Sequence, residues 1–177
     1  MTKTGSALQF WDRLLPNQSE FSHHFNGGAD ALPRALFESI AETSALRAPS
    51  DEFTLEVSDR FSIEEMGSNP VLLRFLEFLV TISGAKTVLE VGTFIGVSAM
   101  CLARGLPEDG QVVTFERYDH FADIARRNFA ANGLADRITL IEDDALVAID
   151  TLPDDRTFDV IFIDGNKERY RDYFERL

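Results

Sequence analysis

The sequence predicts an α/β fold, a doubly wound Rossmann-like parallel sheet. Four short apolar runs of strand composition alternate with stretches of helical composition. The first run, Thr87–Val91, ends abruptly in a glycine turn, Gly92–Gly96, and a helical stretch follows it. Strands that alternate with helices in this way form parallel sheets with right-handed crossovers. Ligands of such sheets lie beyond the carboxyl ends of the strands, near the point where the strand order reverses.

The composition is that of a globular domain with a substantial core. The chain has 177 residues, of which 45% are hydrophobic and 27% charged. Its 17 basic and 30 acidic residues give a formal net charge of −13, which disfavours nucleic acid and anionic membranes as partners. The sequence contains no apolar run of membrane-spanning length, and its N-terminus lacks the apolar core of a signal peptide. We therefore expect a cytoplasmic protein.

Two parts are predicted along the chain. Residues 1–65 would form an N-terminal arm and a helix, over residues 31–46, that packs on the core, and residues 66–177 would form the α/β domain. The pair His23-His24 has no neighbouring acid or cysteine at metal-ligand spacing, so we interpret it as part of a solvated loop. The single cysteine, Cys101, lies among apolar residues and is interpreted as a buried small hydrophobe.

The elements of the α/β domain follow from periodicity and capping residues. Asn69 and Pro70 mark a helix start, and the run to Ile82 is apolar nearly all round, which predicts a deeply buried helix. Asp119 would cap a helix that ends at Asn132-Gly133 and has one mainly apolar stripe, formed by Phe121, Ile124, Ala125, Asn128 and Phe129. The other predicted elements are strands Gln111–Glu116, Ile138–Ile141 and Phe158–Asp164 and helices Ala145–Leu152 and Lys167–Leu177.

Acidic residues and the glycine turn fall at the carboxyl ends of the predicted strands. Glu116 stands 20 residues after Gly96, where an acid binds the ribose hydroxyls in nucleotide-binding sheets. The spacing Gly-x-x-x-Gly differs from the dinucleotide fingerprint and argues against a nicotinamide-dependent oxidoreductase. Asp143 and Asp144, at the end of the third strand, would hold the adenine edge of a ligand. The alternative for both is helix capping, and the two roles are compatible.

A second informative stretch begins at Asp164. A carboxylate at the end of an apolar strand pairs with a cation, either a metal ion or a ligand amine. Lys167 follows three residues later and would serve as a general base if its pKa were lowered. The alternative is a helix-capping aspartate followed by a surface lysine.

Two stretches, Val88–Ala99 and Phe162–Tyr170, together resemble the class I S-adenosylmethionine-dependent methyltransferases. Within these, the chain from Met66 to Leu177 is similar to the cation-dependent O-methyltransferases typified by the catechol and caffeoyl-CoA enzymes. The resemblance implies methyl transfer to a hydroxyl of a small, catechol-like acceptor, a divalent metal such as Mg²⁺ held by Asp164, and Lys167 as the base. It also implies a homodimer. The cofactor would be held by Met66, Ser68, Glu90, Gly92, Thr93, Ser98, Glu116, Asp144, Ala145 and Asp164.

The chain departs from the family pattern in ways that affect the expected chemistry. Asn166 stands where the family usually has a second aspartate, and the family's remaining metal ligands follow a strand that would come after Leu177. We therefore expect a chain that is truncated at its C-terminus, with an incomplete sheet and weak or absent activity on its own. The alternative is a non-catalytic module that binds S-adenosylmethionine and lacks a complete metal site. The acceptor is not readable from this sequence.

Overall fold

The computed structural model describes residues 49–153 and 155–177, apart from the side chain of Glu64. Residues Pro49–Leu177 form one compact unit. The predicted helix over residues 31–46 and the pair His23-His24 lie outside the described residues. The predicted division of the chain into residues 1–65 and 66–177 therefore stays a prediction. No helix within the described ranges combines the length and the apolar character that a membrane crossing requires.

Four parallel strands form the sheet, in the order β3-β2-β1-β4. The strands are β1 (Thr87–Val91), β2 (Gln111–Glu116), β3 (Ile138–Glu142) and β4 (Val160–Ile163). The α-helices are α1 (Ile63–Met66), α2 (Pro70–Ser83), α3 (Val97–Gly105), α4 (Asp119–Ala131), α5 (Ala145–Ala148) and α6 (Tyr170–Arg176). Short 3₁₀ turns cover Pro49–Asp51, Ile149–Thr151 and Lys167–Arg169. The predicted α/β architecture is confirmed.

Alternate residues of the central strand β1 face opposite sides of the sheet, and each side has its own core. Val88 packs into the cluster formed with α2, α3 and α4, whereas Leu89 and Val91 pack into the cluster formed with α5 and α6. Since both faces are covered, the strands have nearly continuous apolar sequences. Cys101 on α3 is fully buried, as predicted, and burial raises the pKa of its thiol to about 12.

The prediction of a deeply buried α2 is wrong. Leu73, Leu76 and Val80 are buried, but three apolar side chains of the same helix are more than half exposed, namely Phe75, Phe78 and Ile82. The helix lies in the outer layer and packs against α3 through one face, where the Cβ of any residue replacing Gly105 would lie 2.4 Å from Val80 Cγ2. This close contact buries one side of α2. The other side, which carries Phe75, Phe78 and Ile82, stays exposed because α2 lies in the outer layer.

Candidate cofactor-binding site

The turn between β1 and α3 depends on glycine at two positions. Gly92 and Gly96 have φ angles of 101° and 92°, which disfavour residues with a side chain. A Cβ at Gly92 would lie 2.6 Å from the carbonyl oxygen of Asp164, and one at Gly96 would lie 2.4 Å from the ring of Phe129. The turn is therefore held close both to the end of β4 and to α4.

The same turn opens into the N-terminus of α3. Gly96 is the N-cap residue of this helix, and no side chain caps its first turn. Ser98, predicted as a cofactor ligand, lies in that turn and lines the adjacent cavity. Helix N-termini with unpaired N–H groups bind carboxylates and phosphates, so this end of the cavity suits an anionic group.

Glu116 ends β2 and organises the turn from the other side. Its carboxylate accepts hydrogen bonds from the backbone N–H of Phe94 at 2.8 Å and of Tyr118 at 3.0 Å. Burial raises its pKa, and these backbone hydrogen bonds oppose the effect. Phe94 has a φ of 50°, which is rare for a bulky residue. The bond to Glu116 stabilises this strained backbone, as often occurs at functional sites.

Glu90 occupies a different position from the one expected of a cofactor ligand. Its side chain is fully buried, and it is not among the residues that line the cavity. Thr114 donates a hydrogen bond of 2.5 Å to Glu90 Oε2, and the hydroxyls of Thr114 and Thr93 are themselves 2.5 Å apart. Glu90 Oε1 has no hydrogen-bond partner within the described residues. The hydroxyls of Thr114 and Thr93 connect the carboxyl group to the cavity, since Thr93 is a lining residue, and Ser98, which also interacts with Glu90, is another lining residue.

Burial makes Glu90 a weak acid. Desolvation is the main cause that raises its pKa, from 4.5 to about 7, while hydrogen bonds from Thr114 and Ser98 lower it. Between these two pH values the folded protein holds a proton that the unfolded chain releases. The contribution of Glu90 to stability is therefore fully present below pH 4.5 and is lost as the pH rises through 7.

We expect Glu90→Gln to remove this pH dependence, because an amide does not ionise. Relative to wild type, the free energy of unfolding of the variant should rise by about 2–3 kcal/mol between pH 4.5 and pH 8. Urea unfolding of both proteins at several pH values measures the difference. A difference that stays constant across this range would show that Glu90 is not the titrating group.

The strand ends enclose a cavity of about 340 Å³. This volume lies within the range of small-molecule sites. Of the predicted site residues, only Glu90 and Lys167 do not line it. The predicted residues that do are Met66, Ser68, Gly92, Thr93, Ser98, Glu116, Asp144, Ala145 and Asp164.

An aromatic wall of the cavity was not predicted. Phe121 is its centre, with the rings of Phe94 and Tyr118 against it at 5.0 and 5.9 Å between centroids. All three side chains line the cavity. Phe121 belongs to the apolar stripe recognised on α4, but the periodicity did not distinguish core from cavity wall. Aromatic faces of this kind suit a flat heterocycle.

Asp164 follows β4 and faces the cavity together with Ser68. The Ser68 hydroxyl donates a hydrogen bond of 3.0 Å to Asp164 Oδ2. The pKa of Tyr170 is raised by burial and by the nearby Asp164 carboxylate, with which its phenol forms a hydrogen bond. The helix-capping alternative for Asp164 is not observed, because Asn166 caps the following turn by accepting from the N–H of Glu168.

Asp144 caps a helix, one of the two roles that the sequence left open, and its position in the cavity wall is compatible with the other. It caps α5 by accepting from the N–H of Leu146 at 3.0 Å, and it lines the cavity. Arg169 Nη1 lies 2.8 Å from Asp144 Oδ2, and Arg117 lies 3.7 Å from the same oxygen. These cations offset the negative charge of Asp144, and the other acids that line the cavity are Glu116, Asp143 and Asp164.

The chain matches the model of the O-methyltransferase family over residues 42–177. It belongs to the O-methyltransferase family. This member of the family is 31% identical to caffeoyl-CoA O-methyltransferase 2 of Eucalyptus globulus, over 92% of this chain and 69% of that protein. It is 34% identical to a catechol O-methyltransferase of Niastella koreensis, over 79% of this chain and 66% of that protein.

A solved structure of an O-methyltransferase from Bacillus cereus, in complex with SAH, has the same fold with a TM-score of 0.58. The two sequences are 32% identical, and the match covers 90% of this chain and 64% of that one. The chain thus spans about two thirds of the length of these O-methyltransferases. The family and the fold predicted from the sequence are confirmed.

Proposed function

We propose that the cavity binds S-adenosylmethionine and that the chain contributes to methyl transfer to a hydroxyl of a small, catechol-like acceptor. The supporting observation is that one cavity joins the glycine turn, Glu116 and Asp164. The cofactor carries a ribose, an ammonium group, a carboxylate and a cationic sulfonium. A cavity with acids at two strand ends and an uncapped helix N-terminus between them matches this set of groups.

Four groups of the cofactor would have a partner in this arrangement. Glu116 would accept hydrogen bonds from the ribose hydroxyls, and the aromatic wall beside it would stack on the adenine. Asp164, oriented by Ser68, would bind the ammonium group, and the N-terminus of α3 near Ser98 would bind the carboxylate. Held this way, the methyl group is fixed in orientation, and positioning of this kind supplies a large part of the rate of a transfer reaction.

Metal assistance stays a prediction of the sequence. Within residues 49–153 and 155–177, no group of three or more acidic, histidine or cysteine side chains is arranged to hold a metal ion. Asp164 is the one predicted ligand, and its carboxylate already accepts from Ser68. Mg²⁺ takes six oxygen ligands, several of them usually from water and substrate, and Asp164 would supply one of them, so no step here depends on the metal.

The acid–base role of Lys167 also stays a proposal. Lys167 opens the 3₁₀ turn that follows Asp164, and its side chain is exposed. As a neutral amine it would accept the proton of an acceptor hydroxyl held beside it. A homodimer and a cytoplasmic location likewise stay predictions.

Calorimetric titration of the chain tests the proposal. We expect SAH and S-adenosylmethionine to bind. NAD⁺ should not bind, because the glycine turn lacks the spacing of dinucleotide-binding turns. Asp164→Asn should weaken SAH binding at least tenfold, since a charged hydrogen bond to the ammonium group is lost. Asp172→Asn, at an exposed position of α6, is the matched control and should bind like wild type.

The outcome also separates the enzyme from a binding module. Methyl transfer to catechol, measured with added Mg²⁺ and again with a chelator, would support the enzyme. Cofactor binding without transfer under either condition is expected both of a truncated enzyme and of a non-catalytic module, so observed transfer is the result that distinguishes them. Absence of SAH binding, or tighter binding of NAD⁺, would contradict the proposal.

A further inference from the structure

Residues 53–59, here called the strap, cross α3 and α4 without forming a helix or a strand. Phe53 and Leu55 turn inward and pack against the core. At the start of the strap, Arg104 stacks on the ring of Phe53. At its end, Ser58 Oγ lies 3.1 Å from His120 Nε2. The strap is therefore anchored along its length by side chains of the two helices.

Two asparagines of the helix α4 region bind the backbone of the strap as a neighbouring strand would. Asn128 Oδ1 accepts from the N–H of Glu56 at 2.7 Å, and Asn128 Nδ2 donates to the carbonyl of Glu56 at 3.0 Å. Asn132, one turn later, makes the same pair of bonds with Thr54 at 3.0 and 2.9 Å. Because backbone groups need partners when they leave water, these amides determine where the strap lies.

Asn128 also binds the glycine turn, whereas the further hydrogen bonds of Asn132 go to Asn128 and Met100. Asn128 Nδ2 donates to the carbonyl of Ile95 at 2.9 Å, and Ile95 lies inside the glycine turn. Asn128 is 1% exposed and does not line the cavity. One buried amide thus joins the strap to the turn that forms the cavity floor.

The strap leads directly to the opposite wall of the cavity. It is followed by Ser62 and Glu65, which form a reciprocal capping box around α1. Met66, Gly67 and Ser68 come next and line the cavity, and Ser68 donates to Asp164. The segment between the strap and Ser68 is short, so the position of the strap constrains the position of this wall.

We infer that Asn128 is a positioning residue for the cofactor, which fixes the glycine turn and the strap relative to each other without touching the ligand. This inference rests on the proposed function. Asparagine suits the role because its amide offers an acceptor and two donors in one plane, and all three are used here. Aspartate has the same shape, but it lacks both donors and would place an oxygen against the carbonyls of Glu56 and Ile95.

Asn128→Asp should therefore raise the dissociation constant of SAH at least tenfold in calorimetric titration. Arg127→Gln is the matched control at the adjacent position. It breaks the half-exposed ion pair between Arg127 and Glu56 and should leave SAH affinity unchanged. The titrations are run well below the melting temperature of each variant, so that a loss of stability alone does not change the affinity of the folded molecules.

Hydrogen exchange of the wild-type chain provides a second measurement that needs no variant. On adding SAH, the amide hydrogen of Glu56 should exchange more slowly, although it donates to Asn128 and not to the ligand. Unchanged exchange at Glu56, or wild-type affinity in folded Asn128→Asp, would overturn this inference and leave the proposed function standing. If the wild-type chain does not bind SAH, the proposed function is overturned, and this inference is overturned with it.

Discussion

Gly92→Ala is expected to abolish SAH binding. The new Cβ would lie 2.6 Å from the carbonyl oxygen of Asp164 and 3.2 Å from Gly165 Cα, and both neighbours are backbone atoms that cannot rotate away. The turn and the end of β4 would have to separate. The φ of 101° adds backbone strain. We expect at least a hundredfold loss of affinity and a lower melting temperature, measured by calorimetry and thermal unfolding.

Gly84→Ala is the matched control for this substitution. Gly84 also has a left-handed backbone, with a φ of 66°, but a Cβ there would meet nothing within 4 Å. Only the conformational cost of about 1–2 kcal/mol should appear, as a lower melting temperature with unchanged SAH affinity. If Gly92→Ala behaved like Gly84→Ala, the close contact between the turn and β4 would not matter for the site.

Glu116→Gln should produce the second large loss of affinity. The carboxylate holds the N–H groups of Phe94 and Tyr118 and would also accept from the ribose. The glutamine amide has the same shape as the carboxylate, but its NH₂ group would face one of these two backbone N–H groups, and neither can accept a hydrogen bond. Loss of charged hydrogen bonds of about 1.5–3 kcal/mol each predicts SAH binding weaker by roughly ten- to a hundredfold or more.

The Glu116→Gln experiment needs a control variant and a test of a competing explanation for the loss of affinity. Glu108→Gln, in an exposed turn, changes the net charge equally and should bind SAH like wild type. Adenosine competition then distinguishes ribose binding from a general disturbance of the turn. Glu116→Gln should weaken adenosine as much as SAH, since both carry the ribose. A selective loss of SAH would contradict the assignment of the ribose to Glu116.

The sequence predicted the acids at the strand ends of the site, because the ends of strands can be located from the local hydrophobic pattern. Glu116 and Asp164 follow apolar runs, and parallel strands bring such ends together regardless of the details of packing. The position of Glu90 could not be predicted in the same way. It depends on the register that places Glu90 beside Thr114 on β2, and this polar neighbour is 24 residues away in the sequence.

Two other features depended on tertiary arrangement. The sequence of α2 is apolar nearly all round, and its few polar residues do not mark the outer side, since Glu77 binds Arg104 of α3. The strap alternates only partly between apolar and polar residues, and its backbone partners are asparagine side chains 72 and 78 residues away. Local propensity carries no information about such distant partners, and Met66 and Ser68, in the wall that follows the strap, were predicted only through the family resemblance.

The all-parallel sheet also determines the order in which the chain can assemble. Asp159, just before β4, accepts hydrogen bonds from the N–H groups of Lys86 and Thr87 at 2.8 and 2.9 Å, and the latter contact spans 72 residues. Closing so long a loop costs entropy before any contact repays it, whereas β1, β2 and β3 pair with nearer neighbours in the chain. We therefore expect β4 to dock last. Asp164 would then join the other residues of the cavity only at the final stage of folding.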